Sequence, residues 1–341
     1  MTKILSTIVG FIFFGSIASA QLTEFSQGDI LSAGAMNQNF KHLQDQFSWT
    51  KKEIDCSTDN LTKTINDGYN HIVINGNCSV GALLIGKADI SIYCSAIQDH
   101  DLINFLKIEG KTGMSNDKIT IGNTGSCGNL FGAIGGELYV QNVTIDSSAV
   151  MSNDGGNMRI ANSNITSDSS DPYMNSSNNG LLRLENVTSV HSVSAEDGSV
   201  LILDNLTTTK KLSINNGASA SIGSSSSMPN IEMNANSSLK LENSTVDCSS
   251  TSDICITVGY LSVADIKNST INGSSAKEAM RILVNSAVSM EGSTINSSAS
   301  NAVVLEQVTS FLYSGDSTIN GNVSCSQNSK ATNIDGNICA E

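Results

Sequence analysis

The chain has 341 residues and a formal net charge of −14, with 32 acidic against 18 basic side chains. Arginine stands only at positions 159, 183 and 281, which excludes a nucleic-acid partner, because affinity for phosphate backbones comes largely from Lys and Arg. Length alone leaves one elongated domain or two compact ones open.

The first residues read MTKILSTIVGFIFFGSIASA: a Lys at 3, an apolar run over 8–14, then small residues ending in Ala18, Ser19 and Ala20. That order is the layout of a cleaved secretory signal peptide over 1–20. The apolar run is short of the roughly 20 residues a spanning helix needs. Gln21 rather than a cysteine follows the expected cut, so no lipid anchor is expected. Loss of Lys3 takes the charge from −14 to −15. The expected location is therefore secreted, periplasmic or extracellular, with no membrane span.

Residues 21–50 contain FSQGDILSAGAMNQNFKHLQDQF, in which Ser32 can cap a helix and Met36, Phe40, Leu43 and Phe47 follow at steps of 4, 3 and 4. The segment resembles one found near the mature N-terminus of exported bacterial and phage-fibre-type proteins. Two heptads are too few for a free coiled coil. The sharper expectation is a short neck that makes a homotrimer through 21–50; the plainer one is a helix packed over the open first coil of a downstream solenoid.

From 54 to 94 the chain reads IDCSTDNLTKTINDGYNHIVINGNCSVGALLIGKADISIYC, with Cys56, a short helix expected around 61–66, a strand ending at Cys78 and further strands to Cys94. This stretch resembles the first coils of exported bacterial proteins with the pectin-lyase-like, right-handed parallel β-helix fold. The resemblance extends at the level of fold to the C-terminus. It implies an all-β solenoid over 51–341, and it brings polysaccharide lyases and hydrolases into consideration. Such lyases gather acidic side chains around Ca²⁺ with an Arg or Lys as base, and the hydrolases use Asp pairs with His and Arg-x-Lys. Asp99, His100 and Asp101 are the nearest approach to an acid–base set, but no matching Asp, His or Arg-x-Lys appears one coil further on.

The remainder repeats. Aligned on one corner residue, the phrases place Asn142, Asn162, Asn186, Asn205, Ser224, Asn243, Asn268, Gly292 and Asp316 in a column, at steps of 20, 24, 19, 19, 19, 25, 24 and 24. Before each marker the residues alternate: Leu182 and Leu184 against Arg183 and Glu185, Leu239 and Leu241 against Lys240 and Glu242. Later copies keep Ala264 with Ile266 and Val288 with Met290. Period-two alternation signals a strand with one buried face. A unit of 19–25 residues built of short strands and polar turns is one coil of a parallel solenoid. Leucine-rich repeats have a similar period, but their L-x-x-L-x-L-x-x-N frame is absent, and disorder would not place aliphatic pairs at a steady period.

In this register Glu185 and Asp204 stack on adjacent coils, which makes them the candidates for a bridging cation. No other metal site and no cofactor is expected. Tyr260 and Tyr313 would offer a sugar-stacking platform if they shared a face. The thirteen N-x-S/T sequons arise as a by-product of corner Asn followed by small hydroxylated residues.

All eight cysteines, Cys56, Cys78, Cys94, Cys127, Cys248, Cys255, Cys325 and Cys339, follow the signal peptide. Their even number reads as disulfides, since neither C-x-x-C pairs nor clustered histidines favour zinc. Cys248 with Cys255 and Cys325 with Cys339 are the local pairs. Among the first four, Cys56 with Cys78 and Cys94 with Cys127 is preferred over two other pairings. The functional expectation is an exported, non-catalytic solenoid with a structural, adhesive or surface-interaction role, its partner an extracellular glycan or another surface protein. The alternative is a polysaccharide lyase or glycoside hydrolase.

Overall fold

The computed structural model describes residues 50–86, 105–122, 130–167, 169–306, 310–326, 328–333 and 335–339. The signal peptide, the helical segment as far as residue 49, the Asp99–His100–Asp101 cluster, and Cys94 and Cys127 lie outside them.

The described chain is a parallel β-solenoid whose strands stack in three ladders. The first runs from Lys51–Asp55 through His71–Asn75, Phe105–Gly110 and Glu137–Gln141 to Lys330–Asn333. The second starts at Asn77–Val80 and the third at Leu83–Ile85, and both end in the long strand Thr318–Cys325. Every strand pairing among the described residues is parallel except the last, between Lys330–Asn333 and Gly336–Asn337. One helix, Leu61–Asn66, joins the first two rungs of the first ladder. Asn60 caps it, accepting the Lys63 N–H at 2.9 Å, and Leu61 and Ile65 enter the core.

The alternation read from the sequence decides which side of each strand is buried. Leu182, Leu184, Leu239, Leu241, Ala264, Ile266, Val288 and Met290 all point inward and are at most 3% exposed, while Arg183, Glu185, Lys240 and Glu242 point out. Burying such side chains contributes about 1.5–3 kcal/mol each, and stacking them coil on coil makes one continuous apolar column.

The corner between the first and second ladders requires a residue with positive φ. Asn142, Asn162, Asn186, Asn205, Ser224, Asn243 and Asn268 supply it at φ values from 47° to 59°, and Gly292 at 57°. Asn tolerates this left-handed region better than other non-glycine residues because its short amide bonds locally. In the last repeat the left-handed residue is Gly315 rather than Asp316, whose carboxylate instead accepts the Gly292 N–H at 2.6 Å. A second corner, from the third ladder into the next coil, uses left-handed pairs such as Asp154–Gly155, Asp197–Gly198 and Asn216–Gly217. The corner from the second ladder to the third absorbs the differences in coil length. It is residues 190–191 in the 19-residue coil that follows Asn186, and residues 248–255 in the 25-residue coil that follows Asn243.

Among the described residues there are three disulfides: Cys56–Cys78 at the N-terminal end, Cys248–Cys255 closing the corner 248–255, and Cys325–Cys339 holding the last strands. No helix among the described residues is long and apolar enough to cross a membrane.

Candidate functional site

The outward face of the first ladder gathers most of the chemistry. Because the strands stack in register, Lys51, His71, Lys107, Tyr139, Arg159 and Arg183 form one column over six consecutive rungs. Two residues further along each strand runs a partly acidic column: Glu53, Val73, Glu109, Gln141, Ala161, Glu185 and Asp204. Neighbouring strands lie about 4.8 Å apart, so long side chains from adjacent rungs reach one another.

The two columns are cross-linked. Glu109 lies 3.3 Å from His71 Nε2 and 3.1 Å from Lys107 Nζ. Tyr139 is held between two cations, with Lys107 Nζ 5.5 Å and the Arg159 guanidinium 4.8 Å from its ring centre, and its hydroxyl donates to Gln141. Glu185 accepts from Arg159 at 2.5 and 3.1 Å and also pairs with Arg183, while Arg183 stands 3.9 Å from Asp204. Further along, Lys267 answers both Asp265 at 3.7 Å and Glu291 at 3.3 Å.

These contacts shift the titrating groups. Burial holds His71 below the ordinary imidazole value, against the opposing pull of Glu109. Burial pushes Glu109 up, but hydrogen bonds from Lys107, His71 and Gln141 outweigh it and keep its carboxyl low. The hydrogen bond to Glu185 raises Arg159 further.

The candidate cation ligands, Glu185 and Asp204, are register partners on adjacent rungs, and the groups nearest them are guanidinium groups. Among the described residues no group of three or more His, Cys, Asp or Glu is arranged to hold a metal. Tyr260 stands at a left-handed corner leading into the strand Val263–Lys267, whereas Tyr313 lies within Phe311–Tyr313, two rungs on. The corner asparagines form a ladder of their own: Asn205 donates to Asn186 at 2.8 Å and Asn186 to Asn162 at 2.9 Å.

The cationic column was not anticipated as a unit. Its signal lies in the strand phrases FLKIEG, ELYVQ, NMRIAN and LLRLEN, whose third residues are Lys, Tyr, Arg and Arg. The intervening steps of 36, 32, 20 and 24 residues, counted from His71, conceal it until the register is known.

The chain matches no known protein family and no curated protein. Among solved structures it is similar to the A-module of the mannuronan C-5 epimerase AlgE6 of Azotobacter vinelandii, at 12% identity over 81% of this chain and 84% of that one, with a TM-score of 0.31.

Proposed function

We propose that the protein is an exported, non-catalytic β-solenoid that acts outside the cell as a structural or surface-interaction element. The observation that carries this reading is the mutual pairing along the first ladder. Lys51, Lys107, Arg159 and Arg183 oppose Glu53, Glu109, Glu185 and Asp204, four formal charges of each sign, and the best-placed acids are already bonded to cations. A general base or acid must be available to the substrate proton it moves. Carboxylates and guanidinium groups bound to one another stiffen the sheet instead. The three disulfides fit an oxidising compartment and support export.

One observation favours a second reading, a polysaccharide lyase or hydrolase: acids, two arginines, two lysines, a histidine and a tyrosine do meet on one sheet. Release assays on uronate-containing and sulfated polysaccharides separate the two. The expected result is no new reducing ends and no unsaturated product. Cleavage that disappears in Arg159→Gln would replace the scaffold reading with the enzymatic one.

A further inference from the structure

The repeated phrase STIN places a second asparagine ladder on the outer face of the second ladder, apart from the ionic columns. Asn272, Asn296 and Asn320 stand in register on three successive rungs. Asn296 donates to Asn272 at 3.0 Å and Asn320 to Asn296 at 2.8 Å. Thr270, Thr294 and Thr318 form the parallel outward column two residues earlier. Over the asparagines lies an open cleft of about 420 Å³, walled by Ser249 and Gly273 from the long corners of these coils and by Ser297 and Ser298 from the long strand Thr294–Glu306. The wall is tightly built. A Cβ on Gly273 would come within 2.7 Å of the Ala279 Cβ, and Cys248–Cys255 ties down the corner that carries Ser249.

Two properties of this cleft point to a ligand class. Each primary amide has two N–H donors and two acceptor lone pairs. An internal rung of the ladder uses one of each, so a regular row of donors and acceptors remains directed outward. The lining is also wholly uncharged in a chain of net charge −14. The carboxylate that ends this column, Asp247, is the register partner of Asn272; the Ser249 N–H engages it at 3.0 Å, and hydrogen bonds from Ser249 first and from the Asn272 side chain as well hold it below the usual carboxylate range. Such a surface offers little to a cation or an anion. It complements a neutral, extended molecule whose hydroxyl and amide groups recur along its length.

We infer that this cleft binds a neutral linear glycan, laid along the solenoid axis with its hydroxyl groups against the Asn272–Asn296–Asn320 ladder. This deepens the surface-interaction reading by naming a partner class and a place.

Titration calorimetry of the mature protein with tri- to hexasaccharides of glucose and of N-acetylglucosamine tests it. The expected result is saturable binding to one series, tightening with length. Binding should be at least tenfold weaker in Asn296→Ala and in Ser298→Trp, the latter blocking the cleft from an exposed position without touching the ladder. Lys63→Gln, exposed on the Leu61–Asn66 helix and outside both sites, should bind as the parent does. Thermal melting of each variant shows that it is folded. Absence of saturable binding to both series at millimolar sugar overturns the inference, as does binding that both cleft variants leave unchanged. Cleavage of acidic polysaccharides would remove the non-catalytic reading and leave this result standing.

Discussion

Asn186 combines three demands in one residue: a left-handed backbone at φ 52°, an amide donated to Asn162 and an oxygen that accepts from Asn205. Alanine there meets none of them. The left-handed penalty of about 1–2 kcal/mol and two exposed hydrogen bonds of roughly 0.5–1 kcal/mol each predict a loss of about 2–4 kcal/mol for Asn186→Ala. Glycine meets the backbone demand alone, so Asn186→Gly should lose about half as much; urea midpoints of the two variants give the comparison, and equal losses would show that φ is not the larger cause. His191 poses a different problem, because its ring is fully buried, with Nε2 2.7 Å from the Ser147 carbonyl oxygen and Nδ1 without a partner. Burial holds its pKa below the ordinary value, only partly opposed by the Ser147 contact and the charge of Asp146. Above about pH 6.5 both folded and unfolded forms are neutral, and His191 adds no pH dependence. Below it the unfolded chain takes up a proton that the folded chain refuses, so stability falls by up to about 1.4 kcal/mol per pH unit until the depressed folded pKa is reached. His191→Gln keeps a donor near the Nε2 position and should flatten that part of the stability profile between pH 7 and 5. An unchanged profile would place the titration elsewhere.

In the repeat element, STIN resolves into four roles. In the Asn268 copy Ser269 turns inward and is 2% exposed, Thr270 faces out, Ile271 joins the core and Asn272 faces out again. The Ser269 hydroxyl donates to the Lys267 carbonyl at 2.8 Å and accepts the Ser244 N–H at 3.2 Å, and Ser293 repeats the arrangement one coil on, accepting from Ser269 at 3.1 Å. Removing that hydroxyl strands a buried N–H, so Ser269→Ala should cost about 1–3 kcal/mol. Thr270→Ala on the outer face should stay within about 0.5 kcal/mol. Amide exchange at Ser244 is the local readout, and it should quicken in the first variant only. The inward and outward pattern of Leu182 to Glu185 was legible from sequence because period-two alternation is a one-body property of each strand. The first corner was legible because Asn recurs there. The second corner was overlooked because its chemistry is shared among Asn-Gly, Asp-Gly, Asn-Asn, Ala-Asn, Tyr-Leu and Val-Asn pairs, which agree in backbone conformation and not in residue type.

For the molecule as a whole, legibility stops where stacking register depends on corner length. Glu185 and Asp204 could be paired from the regular repeats, whereas His71, Lys107 and Tyr139 lie in early coils whose loops vary too much for a period to show. The same stacking governs stability, since each coil touches only its neighbours and resists unfolding through them. The two ends are therefore the weak points, and each has a fastening: Cys56–Cys78 with the Leu61–Asn66 helix at one, Cys325–Cys339 with Ile338 bonded to Ala331 at the other. A disulfide closing a loop of separation 14 contributes about 3 kcal/mol on the chain-entropy account. Replacing both cysteines, Cys325→Ser with Cys339→Ser, should release that stabilisation locally. Hydrogen exchange should speed up in Phe311–Tyr313, Thr318–Cys325 and Lys330–Asn333 while Leu181–Ser189 and Val200–Thr208 keep their protection. Uniform loss of protection would mean that the solenoid unfolds as a single unit, and that coupling between neighbouring coils outweighs the fraying of its ends.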